Sequence, residues 1–225
     1  MSDHSDNDVV CSMCKDCTYG QSILSNAISL HHDKCLKAVI DSGIDITYCI
    51  FMGKACSTIL HAICWGTLSG LKMLLDVGLD PNVLNVEGNS PIYTAIKHER
   101  GVEFVEALID AGADVHLKGN YKTCLSPVVF ASGSLYETRD NVLDITRSCL
   151  KLLLKVGANP NGAIDDLYTP LEWAIICNNA PSVRILIDAG AKVNTIHPNR
   201  QAKISFRKRV DDGFLYDCLL YTSPS

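Results

Sequence analysis

The sequence predicts an all-α chain built from helix pairs repeated in series, and three observations carry that reading. First, a seven-residue phrase recurs five times without a gap: Ser22-Ile-Leu-Ser-Asn-Ala-Ile28, Ser57-Thr-Ile-Leu-His-Ala-Ile63, Ser90-Pro-Ile-Tyr-Thr-Ala-Ile96, Ser126-Pro-Val-Val-Phe-Ala-Ser132 and Thr169-Pro-Leu-Glu-Trp-Ala-Ile175. Second, the opening hydroxyl residues lie 35, 33, 36 and 43 positions apart. Third, each phrase leads into an apolar helical run that stops at a glycine (Gly43, Gly78, Gly112, Gly157 or Gly190). The gaps from the phrase's alanine to that glycine are 16, 16, 17, 26 and 16 residues. A period of this length marks an array of structural repeats.

Each part of the unit has a physical reason. Ser or Thr at a helix start can accept hydrogen bonds from the orphan N–H groups of the first turn. Proline at the next position (Pro91, Pro127 and Pro170) loses nothing by lacking an N–H there, and its φ suits the helix. The recurring alanine lets the first helix lie close to its neighbours. A second helix follows, as in Ser182-Val-Arg-Ile-Leu-Ile-Asp188, with its apolar residues on one face. Glycine ends it in the left-handed conformation that other residues adopt only at a cost. Asp/Asn-rich segments then turn the chain between units: Gly78-Leu-Asp-Pro-Asn82, Gly112-Ala-Asp-Val-His116, Gly157-Ala-Asn-Pro-Asn161 and Gly190-Ala-Lys-Val-Asn194.

These phrases resemble the Thr-Pro-Leu-His-x-Ala-Ala opening of ankyrin repeats, and the endings resemble their Leu-Leu-x-x-Gly-Ala-Asp-x-Asn close. The resemblance spans residues 21–196, in units of about 21–52, 53–85, 86–119, 120–164 and 165–196. It implies antiparallel helix pairs joined by outward hairpin loops and stacked into a curved α-solenoid. Two departures stand out. The family's histidine is replaced at every matching position, by Ser25, Leu60, Tyr93, Val129 and Glu172. The fourth unit carries about ten extra residues around Gly133–Asp140, which predicts a protruding loop between its helices.

The flanks read differently. Residues 1–20 are polar and acidic apart from Val9 and Val10, as a flexible leader would be. Residues 197–217 suggest a partial sixth repeat or cap with a basic run (Arg200, Lys203, Arg207, Lys208 and Arg209). Residues 218–225, Cys-Leu-Leu-Tyr-Thr-Ser-Pro-Ser, have no place in the repeat and resemble a translated sequencing adapter.

Composition narrows the function classes. The apolar share of 47% is too high for a disordered chain. A net charge of −5 argues against a general nucleic-acid binder, and no stretch approaches the roughly 20 apolar residues of a membrane helix. Seven of the eleven cysteines are scattered singly, mostly beside apolar residues, as buried free thiols of a reducing cytoplasm would be. The expected location is cytoplasmic, with the nucleus as the alternative if the basic run is an import signal.

No catalytic constellation emerges, and the chain reads as no enzyme. There is no paired-histidine metal motif, no phosphate-binding glycine loop and no nucleophile elbow. Cys11-x-x-Cys14-x-x-Cys17 is the one metal-like spacing, with His4, His31, His32 or Cys35 as a possible fourth ligand. Its usual second half is absent, so no metal or other cofactor is expected. His61 reads as a packing or capping residue, and Trp173 as core.

What remains is a long surface of variable residues suited to a protein partner. Contacts are expected from hairpin tips and inner helix ends: Met52, Lys54, Trp65, Glu87, Asn89, Lys97, His98, Tyr121, Lys122, Asp165, Asp166 and Tyr168. Trp65 stands out, because large aromatics are enriched among binding hot spots. The expected role is a monomeric scaffold or adaptor. Its rivals are the substrate-recruiting subunit of a ubiquitin ligase and a regulatory segment of a larger enzyme or channel.

Overall fold

The computed structural model describes residues 23–51, 54–118, 126–133, 140–163 and 168–193. Of residues 140–143, 205–209 and 215–219 it describes the backbone. Residues 1–193 and 194–225 form two separate compact units.

Among the described residues, the first unit holds five helix pairs. They are α1 (Ile23–Ser29) with α2 (Asp33–Asp41), α3 (Thr58–Trp65) with α4 (Leu68–Asp76), α5 (Pro91–Lys97) with α6 (Val102–Asp110), α7 (Pro127–Ser132) with α8 (Asp140–Lys155), and α9 (Pro170–Ile176) with α10 (Ala180–Asp188). The first helices α1, α3, α5, α7 and α9 pack each against the next, and the second helices do likewise. The fold is mostly helical, as expected. It adds two short antiparallel strand pairs, β1 (Tyr48–Phe51) with β2 (Lys54–Ser57), and β3 (Ser205–Arg209) with β4 (Leu215–Leu219).

Ala27, Ala62, Ala95, Ala131 and Ala174 are buried in every repeat, where neighbouring first helices meet. The apolar residue three places earlier (Leu24, Ile59, Ile92, Val128 or Leu171) is buried with it. From the second helices come Leu36, Leu71 and Leu74, Val105 and Leu108, Leu150 and Leu153, and Leu186. The paired residues sit three apart on one helical face, and full burial of each such side chain stabilises by about 1.5–3 kcal/mol.

Helix ends follow the sequence logic in part. Ser90 accepts from the Tyr93 amide (3.3 Å), and Thr169 forms a capping box with Glu172. There Thr169 Oγ1 accepts from the Glu172 amide (3.1 Å), while the Glu172 carboxylate accepts from the Thr169 amide (2.9 Å). The residue in place of the family histidine thus supplies the turn's hydrogen bond by another route. Ser57 and Ser126 occupy the same position without a side-chain cap bond. At the other end, Gly112 has φ +90°, with its amide on the Ile109 carbonyl and the Ala113 amide on that of Leu108. That is the closure expected of a left-handed glycine cap.

Neighbouring repeats are also stapled by polar groups. Asn82 Oδ1 accepts from the Asp114 amide (2.8 Å), and its Nδ2 donates to the Gly112 carbonyl (3.2 Å). Asn161 Oδ1 accepts from the Lys192 amide (2.8 Å) in the same manner. The asparagines of the inter-repeat turns therefore shape one turn and fasten it to the next.

Two differences from the sequence reading have physical causes. The extra length of repeat four goes partly into α8, which has 16 residues where the other second helices have nine. Thr146, Cys149, Leu150 and Leu153 give it one continuous buried face, so the helix can extend. The expected loop at 134–139 lies outside the described residues. Across the segment read as a partial sixth repeat or cap, and the first two residues of the one read as an adapter, the described backbone is the β3–β4 ladder, with Phe206 opposite Cys218 and Lys208 opposite Tyr216. Aromatic residues favour strands, and Gly213 lies in the connection between them. Arg207, Lys208 and Arg209 of the basic run stand on β3.

Two substitutions test this packing by urea denaturation. Leu108→Ala should cost about 2–5 kcal/mol as a core truncation. Gly133→Ala should cost about 1–3 kcal/mol, since its Cβ would come within 2.6 Å of Cys177 Sγ and 2.8 Å of Cys177 Cβ. A midpoint unchanged by either would contradict the close approach described.

Candidate protein-docking face

The site begins at the β1–β2 hairpin. Period-2 alternation turns Cys49 inward and leaves Tyr48 and Ile50 exposed. The hairpin is tied down at its base, where Ser25 Oγ donates to the Ile50 carbonyl (2.8 Å) and the Thr58 amide donates to that of Thr47 (3.2 Å). Ser57 ends β2 in extended geometry and starts α3 at once. Trp65 closes α3; the residue is 52% exposed, and its ring lies 5.7 Å from that of Phe51. The Trp65 carbonyl accepts from His31 Nε2 (2.9 Å), which fixes the backbone beneath the indole.

The opposing wall is the turn at residues 85–89. Asn85 Oδ1 accepts from the amides of Glu87 (2.9 Å) and Asn89 (2.8 Å), and Gly88 completes the loop at φ +78°. This closure presents Val86 at 94% exposure. Asn89 Nδ2 donates to Glu87 Oε2 (2.9 Å), which lies 3.7 Å from Lys97 Nζ. Between hairpin and turn lies a cavity of about 940 Å³, floored by α3 and α5.

Six of the expected contact residues line this one cavity: Lys54, Trp65, Glu87, Asn89, Lys97 and His98. Asn89 is largely buried and acts mainly to close the turn. Tyr168 does not belong to the surface. It is 3% exposed, with its ring 5.3 Å from that of Trp173. It precedes the capping Thr169, and Trp173 is the fourth helical residue, so the pair forms the apolar staple of a helix start. Trp173 is core as expected, donating from Nε1 to the Gly133 carbonyl (3.3 Å). Met52, Tyr121, Lys122, Asp165 and Asp166 lie outside the described residues, as do Cys11, Cys14 and Cys17. Sequence reasoning missed Tyr48, Leu84 and Val86, all exposed and all lining the cavity. An apolar residue inside a turn (Val86 beside Glu87-Gly88-Asn89) was the available signal.

Beneath the cavity, Cys49 and Cys56 face each other across the β1–β2 ladder with their Sγ atoms 3.4 Å apart. A ring nitrogen of His61 lies within 4.8 Å of both. Burial, together with the neighbouring Cys56 thiol, pushes the Cys49 thiol up to about 12. His61 is buried, so its imidazole sits below its ordinary value of 6.5 despite the bond from Nε2 to the Ser25 carbonyl (3.3 Å). His98 is also lowered, by burial first and then by the charges of Lys97 and Arg100. Arg100 itself bonds to the Gly66 carbonyl and lies over the Phe104 ring, 4.5 Å from its centroid.

The sequence profile of the ankyrin repeat matches residues 87–120 and 166–198, which hold the α5–α6 and α9–α10 pairs. Human Rabankyrin-5 is 28% identical over 218 residues, covering 80% of this chain. Fowlpox virus ankyrin repeat protein FPV018 is 25% identical, covering 75% of it. This is an ankyrin repeat protein. An "Ankyrin repeat, SAM and basic leucine zipper domain-containing protein 1" from Dasypus novemcinctus is 30% identical over 60% of the chain. The chain spans only 18% of Rabankyrin-5 and 26% of each of the other two. Ankyrin repeats are in general protein-interaction modules and typically non-enzymatic.

The lowered histidines give a pH prediction for this ankyrin array. As pH falls through 6.5 the unfolded chain takes up protons at His61 and His98 before the folded chain does. Protonation therefore favours unfolding, and stability should decline with acidification below about 7. His61→Gln should flatten that decline in denaturant titrations at several pH values. A slope identical to the parent's would remove His61 as its source.

Proposed function

We propose that this ankyrin array is a non-enzymatic scaffold or adaptor that holds a protein partner against the face between its first two inter-repeat fingers. One observation carries the reading: Tyr48, Trp65, Leu84 and Val86 expose apolar surface around a single cavity rimmed by Lys54, Glu87, Lys97 and His98. Soluble surfaces rarely gather apolar side chains this way unless something docks there. An aromatic anchor within a charged rim matches the anatomy of protein interfaces. In this reading the repeats stack into a curved solenoid, and Met52, Tyr121, Lys122, Asp165 and Asp166 extend the contact surface along successive fingers. The serial packing of first helices on first helices supports that geometry.

The partner is a protein by this proposal. The net charge of −5 speaks against nucleic acid, and no helix among the described residues is long and apolar enough to cross a membrane. The thiols of Cys35, Cys49, Cys56, Cys64 and Cys149 support a reducing cytoplasm as the working compartment. We take the array itself to be monomeric. Because it covers only 18–26% of its relatives, we read it as the recognition part of an assembly whose effector functions lie elsewhere.

The test begins with a partner recovered by affinity purification on the chain. Trp65→Ala with Lys97→Ala should weaken its binding by roughly 30-fold or more, the effect of losing about 2 kcal/mol at an interface hot spot. Lys151→Ala, on the exposed side of α8, should leave binding unchanged, and helical circular dichroism should be the same in all three proteins. Full binding by the double variant would place the docking face elsewhere.

A further inference from the structure

We infer that Cys49, Cys56 and His61 form a zinc site that pins the β1–β2 hairpin to helix α3. Three observations lead there. Cys49 and Cys56 occupy directly opposed positions of the β1–β2 ladder, so the backbone delivers both sulfurs to one point. Their separation of 3.4 Å exceeds a covalent S–S bond and approaches the spacing of two thiolates on one tetrahedral ion. His61 reaches the same point from the first turns of α3, with all three ligand atoms within 4.8 Å of one another.

The surroundings suit such an ion. His61 Nε2 lies 3.0 Å from Ser29 Oγ and 3.3 Å from the Ser25 carbonyl, and because the carbonyl can only accept, a hydrogen on Nε2 suits both contacts. A backbone carbonyl bonded to one ring N–H is the usual orienting partner of a zinc-bound histidine. The Phe51 ring, 4.7 Å from the imidazole, holds it from the side. Two thiolates and an imidazole select a soft or borderline cation, and zinc requires no redox partner. On binding, the two thiols release their protons to solvent and the ion takes three protein ligands. Cys56 and His61 both line the cavity, so the fourth position opens into it and water completes the tetrahedron. Zinc would then stiffen the finger that carries Tyr48 and Phe51. The site stands on its own geometry, whatever the array binds.

The test uses the full chain, purified and held reduced, with zinc and cobalt ions as the probes. Mass spectrometry of metal content should find one zinc per chain from this site. Titration with Co²⁺ should give thiolate-to-cobalt charge-transfer absorption. Cys56→Ser, at a half-buried position, should fold with unchanged helical circular dichroism. It should lose affinity by at least the ~10–100-fold that removing even an outer-shell partner costs. Added zinc should raise the melting temperature of the parent and leave that of Cys56→Ser where it was. Replacing Cys11, Cys14 and Cys17 together by Ser should keep the signal. The inference is overturned if the parent binds neither ion, if Cys56→Ser binds cobalt as the parent does, or if only the N-terminal replacement abolishes binding.

Discussion

A helix pair of about seven and nine residues cannot bury its own apolar face, and that constraint governs everything else in this molecule. Each pair is stable only when pressed against another, so the recurring alanine at the contact between first helices becomes the central residue of the unit. Ala62, Ala95, Ala131 and Ala174 are fully buried because anything larger would hold neighbouring helices apart. The leucines and valines of the second helices complete a core that runs continuously from one pair to the next. Such a core is cooperative between neighbours and indifferent to distant repeats.

Close stacking leaves the connections to carry individuality. The inter-repeat turns spend some polar groups on the array itself, as when Asn82 and Asn161 bond the backbone of the following repeat. Other positions are free to face solvent. The first two fingers illustrate the difference. One extends into a four-residue ladder, while the other closes as a tight Asn-Val-Glu-Gly-Asn turn, and the cavity exists because these two shapes stand side by side. Shape here comes from the fingers and rigidity from the helices behind them.

The same division explains which site residues could be read from the chain. Trp65, Lys97 and His98 were legible because their places are counted directly from the phrase, and the phrase sets the helix. Tyr168 was misplaced because a position just before a helix cap looks like an exposed loop, yet its ring staples back onto Trp173. Cys49 and Cys56 looked like isolated thiols. Nothing in their linear spacing distinguishes a loop from a ladder, and only the ladder sets them face to face.

By itself, the sequence determined the number of repeats, their helix starts and stops, and the buried alanine, because these depend on local capping, backbone conformation and periodicity. Tertiary structure alone decided that the first connection pairs as strands, that the extra length of repeat four lengthens α8, and that six separated side chains share one cavity. Those outcomes depend on which neighbours compensate a backbone N–H or an apolar surface. For the strands the partner is the facing strand, as Tyr48 faces Ser57, together with Ser25 of the preceding helix. For α8 and the cavity the neighbours belong to adjacent repeats, about one repeat period away along the chain.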